Sequence, residues 1–310
     1  MRIGVVISRD AETPGLSFSA LEPVCAAIGI QLREVCTAWD LDEVTVEPRR
    51  DLSDGSLSYV TISNLPIGLE QPPASPPAPA GPQAAADAAG PTGEHRATYG
   101  IVYGEVRYTP ENAARWSVSL SHECLEMAVN PMTDKTRKAP APEAFAEAAG
   151  VAADETVDYL VEICDPCQSG AHAYAVEVSI GGSTQEVMVS DFVYPEYFVP
   201  GSQAGRLSFN RSVTRPLEIL THGCLSWGVR RTQKLWQQWR LGDGTLSDPK
   251  PVGVWNPPAR GDRPEPPASE QRSVLRQSLY LAEPDYRLRR IPDAGSIAKA
   301  LASLRSLRTS

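Results

Sequence analysis

Apolar positions along this chain follow two rhythms, one near 3.6 residues and one of two. Phe18–Trp39 carries Leu21, Val24, Cys25, Ile28 and Leu32 at the spacing of one helix face. Arg2–Ile7 and residues 58–62 show the β-branched enrichment of strands, so residues 1 to 70 read as an α/β unit. Another strand is expected over 97–106. Thr109-Pro110-Glu111 is a turn or helix-start signal, and a helix over 117–129 follows, stopped by Asn130-Pro131. Residues 133–149 are polar and alanine-rich, the pattern of a loop or short surface helix. Strands are expected at 159–164, Tyr174–Ile180 and 186–189, with Gly181-Gly182 marking a hairpin turn between the last two.

Composition divides this pattern. Residues 71–95 are almost entirely Pro, Ala, Gly and Gln, a segment that cannot build a core and reads as a disordered insertion. The units on either side of it, 1–70 and 96–240, are expected to form one α/β (α+β) domain. From 241 to 310 the chain reads as an irregular Pro-rich tail ending in an amphipathic helix. That helix, over 294–307, has Ile297, Leu301, Leu304 and Leu307 on one face, with Lys299 and Arg305 away from it. It suits docking on the chain's own acidic domain, a protein partner or a membrane surface.

The net charge of −9 argues against nucleic acid as a partner, because phosphate binding needs a basic footprint. No run approaches the roughly 20 apolar residues of a membrane span, and the first apolar run is too short for a signal sequence. The expected location is cytoplasmic, with a signal-independent export route left open. Six cysteines lie scattered without a disulfide framework and read as reduced thiols. Cys164-Asp165-Pro166-Cys167 has no second such pair, so neither an all-thiolate zinc site nor a redox site is expected.

Chemistry is most visible at Ser121-His122-Glu123-Cys124-Leu125-Glu126-Met127. Residues four apart on a helix lie one above the other, so His122 and Glu126 can grip one metal ion. Glu123 sits about 100° round the helix. That is where the glutamate of an HExxH helix meets metal-bound water as general base. Here the pattern is HExxE. Two carboxylates and one imidazole bring a Zn²⁺ site to zero formal charge, so its bound water should be less acidic than at a cationic site. Oxygen-rich ligation also admits Mn²⁺ or Ca²⁺ beside Zn²⁺. A third ligand must come from elsewhere, and Glu162 or Asp165 are the candidates, with the choice between them open. His222 and Tyr174 are possible hydrogen-bond donors to a developing oxyanion.

Several elements follow one another in order: Trp116, Ser121 to Met127, Asn130-Pro131, Glu162-Ile163-Cys164-Asp165-Pro166, and Val189-Ser190-Asp191-Phe192-Val193. Together they resemble a family of uncharacterised bacterial and phage-associated proteins. Its members share a Ser-His-Glu-x-x-Glu-Met core, a Glu-Val-Cys-Asp element and a Val-Ser-Asx-Phe-Val element. The resemblance spans about 36–227, and the motif is similar to that of zincin-type metallopeptidases. It implies a zincin-like domain with a mixed sheet and an HExxE active-site helix. Two departures stand out. Asn130 replaces the family's usual Asp, and the Gly-Tyr-His element expected before the helix has no histidine within Tyr99 to Tyr103.

Two functions are therefore expected in turn. The first is a metallopeptidase-like hydrolase acting on a peptide or protein, with His122, Glu126 and Asp165 or Glu162 on the metal and Glu123 as base. The alternative is a non-enzymatic component of a phage-like or secretion-associated assembly, in which the metal is structural.

Overall fold

In a computed structural model of the chain, the described residues are 1–8, 11, 13, 16–54, 58–64, 93–98, 101–108, 115–142, 145, 146, 152, 155–202 and 205–255. Residues 71–92 of the expected 71–95 insertion and the amphipathic segment over 294–307 lie outside them.

The chain begins with strand β1 (Arg2–Ile7), helix α1 (Phe18–Trp39) and strands β2 (Thr45–Arg49) and β3 (Ser58–Ser63). Strands β4 (Gly93–Thr98) and β5 (Ile101–Arg107) and helix α2 (Trp116–Val129) follow. The first sheet has the order β2-β1-β3-β5-β4. β1 pairs parallel with β2 and β3, β3 pairs parallel with β5, and β4 runs antiparallel to β5 at the edge. The apolar run of β1 suits a central parallel strand, because both of its faces are covered. Both helices pack on this sheet and on each other. α2 is buried almost all round, with twelve buried residues in fourteen, the mark of a core helix. Gly104 in β5 helps it approach, since a Cβ there would stand 3.1 Å from Met127 Sδ.

The second sheet is antiparallel, in the order β12-β11-β10-β7-β6. Its strands are β6 (Thr136–Pro140), β7 (Thr156–Leu160), β10 (Cys224–Val229), β11 (Lys234–Trp239) and β12 (Lys250–Val254). A separate hairpin, β8 (Tyr174–Ile180) with β9 (Ser183–Val189), lies against both helices. No helix among the described residues is long and apolar enough to cross a membrane.

Mixed α+β content, both helices, β1, β3 and the β8–β9 hairpin agree with the pattern read from the sequence. Four expectations are corrected. The strand over 97–106 is two strands, paired from Gly93↔Val106 to Thr98↔Ile101, so the insertion ends before Gly93 rather than at 95. Residues 133–149 contain β6, held by pairing with β7 that local composition does not reveal. β7 ends at Leu160, so Glu162 is not on a strand, and Asp165–Cys167 form a 3-10 turn. The tail over 241–310 begins too early: β12 pairs with β11, and Trp255 is buried.

Candidate metal centre

The site forms where α2, β4 and the segment after β7 converge. α2 presents His122, Glu123 and Glu126 on one side, as helical spacing requires. Its Ser121 accepts a hydrogen bond from Ser190 N at 2.7 Å, tying the helix to the segment after β9. That segment is held in turn by Asp191, fully buried, whose Oδ1 accepts from Phe192 N (2.9 Å) and Asn210 N (2.8 Å) and whose Oδ2 accepts from Ser212 Oγ. The Val189-to-Val193 element is thus the clamp behind the helix.

His122 Nε2 lies 3.1 Å from Glu126 Oε2 and 3.6 Å from Asp165 Oδ1. Donor atoms about 2.1 Å from a tetrahedrally bound ion stand roughly 3.4 Å apart, so each of these two pairs has the spacing of neighbouring ligands. Glu126 Oε1 is occupied otherwise: it accepts from Cys164 N (3.1 Å) and Asp165 N (3.3 Å). The turn after β7 therefore fixes one oxygen of Glu126 and leaves the other facing the histidine.

β4 supplies a residue that sequence reasoning passed over. His95 is buried, with Nδ1 3.5 Å from Glu123 Oε2 and 3.6 Å from Glu126 Oε2, and Nε2 3.8 Å from Glu162 Oε2. By composition it falls at the end of the low-complexity segment over 71–95. The signal that could have found it is alternation: Gly93 and His95 share one face of β4, while Glu94 and Arg96 pair with each other on the opposite face.

The two proposed third ligands part company. Asp165 faces His122, and Glu162 faces His95. Glu162 Oε1 accepts from Asn130 Nδ2 at 2.9 Å, whereas its buried Oε2 has no hydrogen-bond partner. Asn130 is fully buried, and its Oδ1 accepts from Asp134 N (3.0 Å) and Lys135 N (2.7 Å). Asn130 thus orients Glu162 and caps the turn after α2.

Among the described residues, two trios have donor atoms all within 4.8 Å of one another: His122, Glu126, Cys164 and His95, Glu126, Glu162. Cys164, by its sequence one of six scattered thiols, is thus close to His122 and Glu126. Burial pushes its thiol well up, so only a cation would draw off its proton. Asp165 belongs to neither trio.

The electrostatics are those of a buried ionic cluster. Burial pulls His122 and His95 down, but the carboxylates reverse this and leave both at about 10. Burial raises Glu123 and lifts Glu162 well up, and burial with the Glu126 charge brings Asp165 to about 7. Burial also pushes Glu126 up, yet His122, His95 and the Cys164 N–H together hold it below its ordinary value. A crowded, buried set of carboxylates with one unpartnered oxygen is costly by itself, and a divalent cation is what such a set fits. The side chains of His122, Glu162 and Asp165 are 13%, 13% and 19% exposed, against 4% for Glu123 and Glu126 and 5% for His95.

His222 and Tyr174 are engaged elsewhere. Tyr174 OH accepts from Gln31 Nε2 at 2.9 Å and its ring stacks on Phe209. His222 is exposed, with a left-handed backbone (φ 65°). No profile of a known protein family, no characterised protein and no solved structure matches the chain.

Proposed function

We propose that this cluster is the active site of a metal-dependent hydrolase, most simply a zincin-like metallopeptidase. One observation carries the reading: His122, Glu123 and Glu126 project from a single buried helix, with His122 Nε2 and Glu126 Oε2 only 3.1 Å apart. His122 and Glu126 would hold the ion, with Asp165 as third donor. Zn²⁺ suits the imidazole, and Mn²⁺ or Ca²⁺ the oxygens. A bound divalent cation supplies an acidified water and polarises a scissile carbonyl.

The chain's residues do the rest. Glu123, raised by burial, is the general base that takes the proton from the attacking water. Ser121 holds the helix and the Cys164 and Asp165 amides hold Glu126, so the base and the ligands keep their spacing. β4 ends the first sheet, and its outer edge offers backbone groups to an extended peptide. A mixed sheet flanking the motif helix supports the zincin-like reading.

The deep burial of Glu123 and Glu126 favours a second reading, a structural ion in a non-enzymatic assembly component. Glu123→Gln separates the two. For the enzyme, the variant keeps its metal and loses peptide turnover by about a hundredfold or more. An undiminished Glu123→Gln protein excludes Glu123 as base. Wild type that binds metal and cleaves no peptide or ester supports the structural reading.

A further inference from the structure

We infer that the cluster takes two divalent cations, the second held by His95, Glu162 and a shared Glu126. The inference rests on the metal-centre reading above and adds a site to it.

Glu126 is placed as a bridge. Its Oε1 is spent on two backbone N–H groups, while its Oε2 lies 3.1 Å from His122 Nε2 and 3.6 Å from His95 Nδ1. A single free oxygen therefore faces both imidazoles, and both trios of mutually close donors run through this residue. Glu123 also faces both imidazoles, but with separate oxygens, Oε2 toward His95 (3.5 Å) and Oε1 toward His122 (4.0 Å).

Each histidine also has its own carboxylate, Asp165 for His122 and Glu162 for His95. Glu162 is oriented in advance: Asn130 fixes Oε1, and the buried Oε2 is aimed into the cluster without a partner. The His95 ring lies between these groups, with Nε2 3.4 Å from the Asn130 carbonyl and 3.8 Å from Glu162 Oε2, and Nδ1 toward Glu126 and Glu123.

Charge is compatible with this: with both imidazoles neutral, as ligation requires, and all four carboxylates ionised, the cluster would carry a formal −4, which two divalent ions bring to zero. Ions sharing a carboxylate stand about 3.5–4 Å apart and can hold both the attacking and the leaving oxygen of a substrate. The His95 trio, with two carboxylates and one imidazole, is a site for a hard ion such as Mn²⁺.

The test is metal stoichiometry on the full chain. Protein stripped with chelator is loaded with Mn²⁺, desalted and measured by elemental mass spectrometry, with electron paramagnetic resonance reporting coupling between ions. Wild type is expected to hold about two equivalents and give a spin-coupled signal, as for paired ions. His95→Ala and the isosteric Glu162→Gln should each hold one, with the coupling lost, so the result survives if His95→Ala fails to fold. Saturation of wild type at one equivalent overturns the second cation and leaves the first. No bound ion overturns both readings. Two equivalents retained in Glu162→Gln and His95→Ala overturn the assignment of ligands.

Discussion

The backbone of Gly93 in β4 runs directly against the side chain of Glu123 in α2. A Cβ at Gly93 would stand 2.9 Å from both Cγ and Cδ of Glu123 and would overlap Oε1. The glycine is needed for this close approach, which lays the edge strand over the candidate base. Gly93→Ala should therefore push Glu123 out of place and destabilise the fold by about 1–3 kcal/mol, the usual cost of overpacking. Urea denaturation and peptide turnover measured on the same preparation check it. Wild-type values for both would show that Glu123 does not depend on β4.

Asn130→Asp should behave differently at different pH. The substitution keeps an acceptor for the Asp134 and Lys135 amides but turns the donor toward Glu162 into a second carboxylate. At low pH the two carboxyls can share a proton; at high pH they repel. The loss of stability without metal should accordingly be larger at pH 8 than at pH 5. Denaturation curves at the two values decide, and an equal loss would mean that Asn130 does not orient Glu162.

Without metal, stability should fall as pH rises from about 6.5 to about 10. His95 and His122 have folded-state values near 10, above the ordinary 6.5, so their contribution is full below 6.5 and lost through 10. Asp165, raised from 3.8 to about 7, and the raised Glu123 and Glu162 also cost stability as pH rises, but from a lower starting point, Asp165 between about 3.8 and about 7. Glu126, held low, opposes them only as pH drops toward the acid range. Metal entry must expel the imidazole protons, so affinity should climb with pH across this window. Calorimetric titration in buffers of different ionisation enthalpy would register the released protons, and an affinity flat with pH would count against imidazole ligation.

Asp191 should prove structural. It is fully buried and satisfies two backbone amides and the Ser212 hydroxyl, so Asp191→Ala leaves several groups without partners. A cost of about 3 kcal/mol or more follows from the roughly 1–3 kcal/mol for each buried unsatisfied group. Metal content per folded molecule should stay unchanged. A stable variant that lost its metal would instead place Asp191 in the centre itself.

Local pattern alone was enough for α1, α2, β1, β3 and the β8–β9 hairpin, because period and turn residues act within a few positions of one another. It was also enough to put His122, Glu123 and Glu126 together, since one helix carries all three. His95 lay beyond that reach: it follows a Pro/Ala-rich segment, and only pairing of β4 with β5 turns Gly93-Glu94-His95 into a strand laid over α2. The choice between Asp165 and Glu162 was equally out of reach. β7 ends at Leu160, and the 3-10 turn sends the two carboxylates to different histidines, which alternation along a continued strand could not foresee. Helix geometry is a local property of the chain, whereas the meeting of an edge strand, a turn and a helix is decided by which surfaces bury one another.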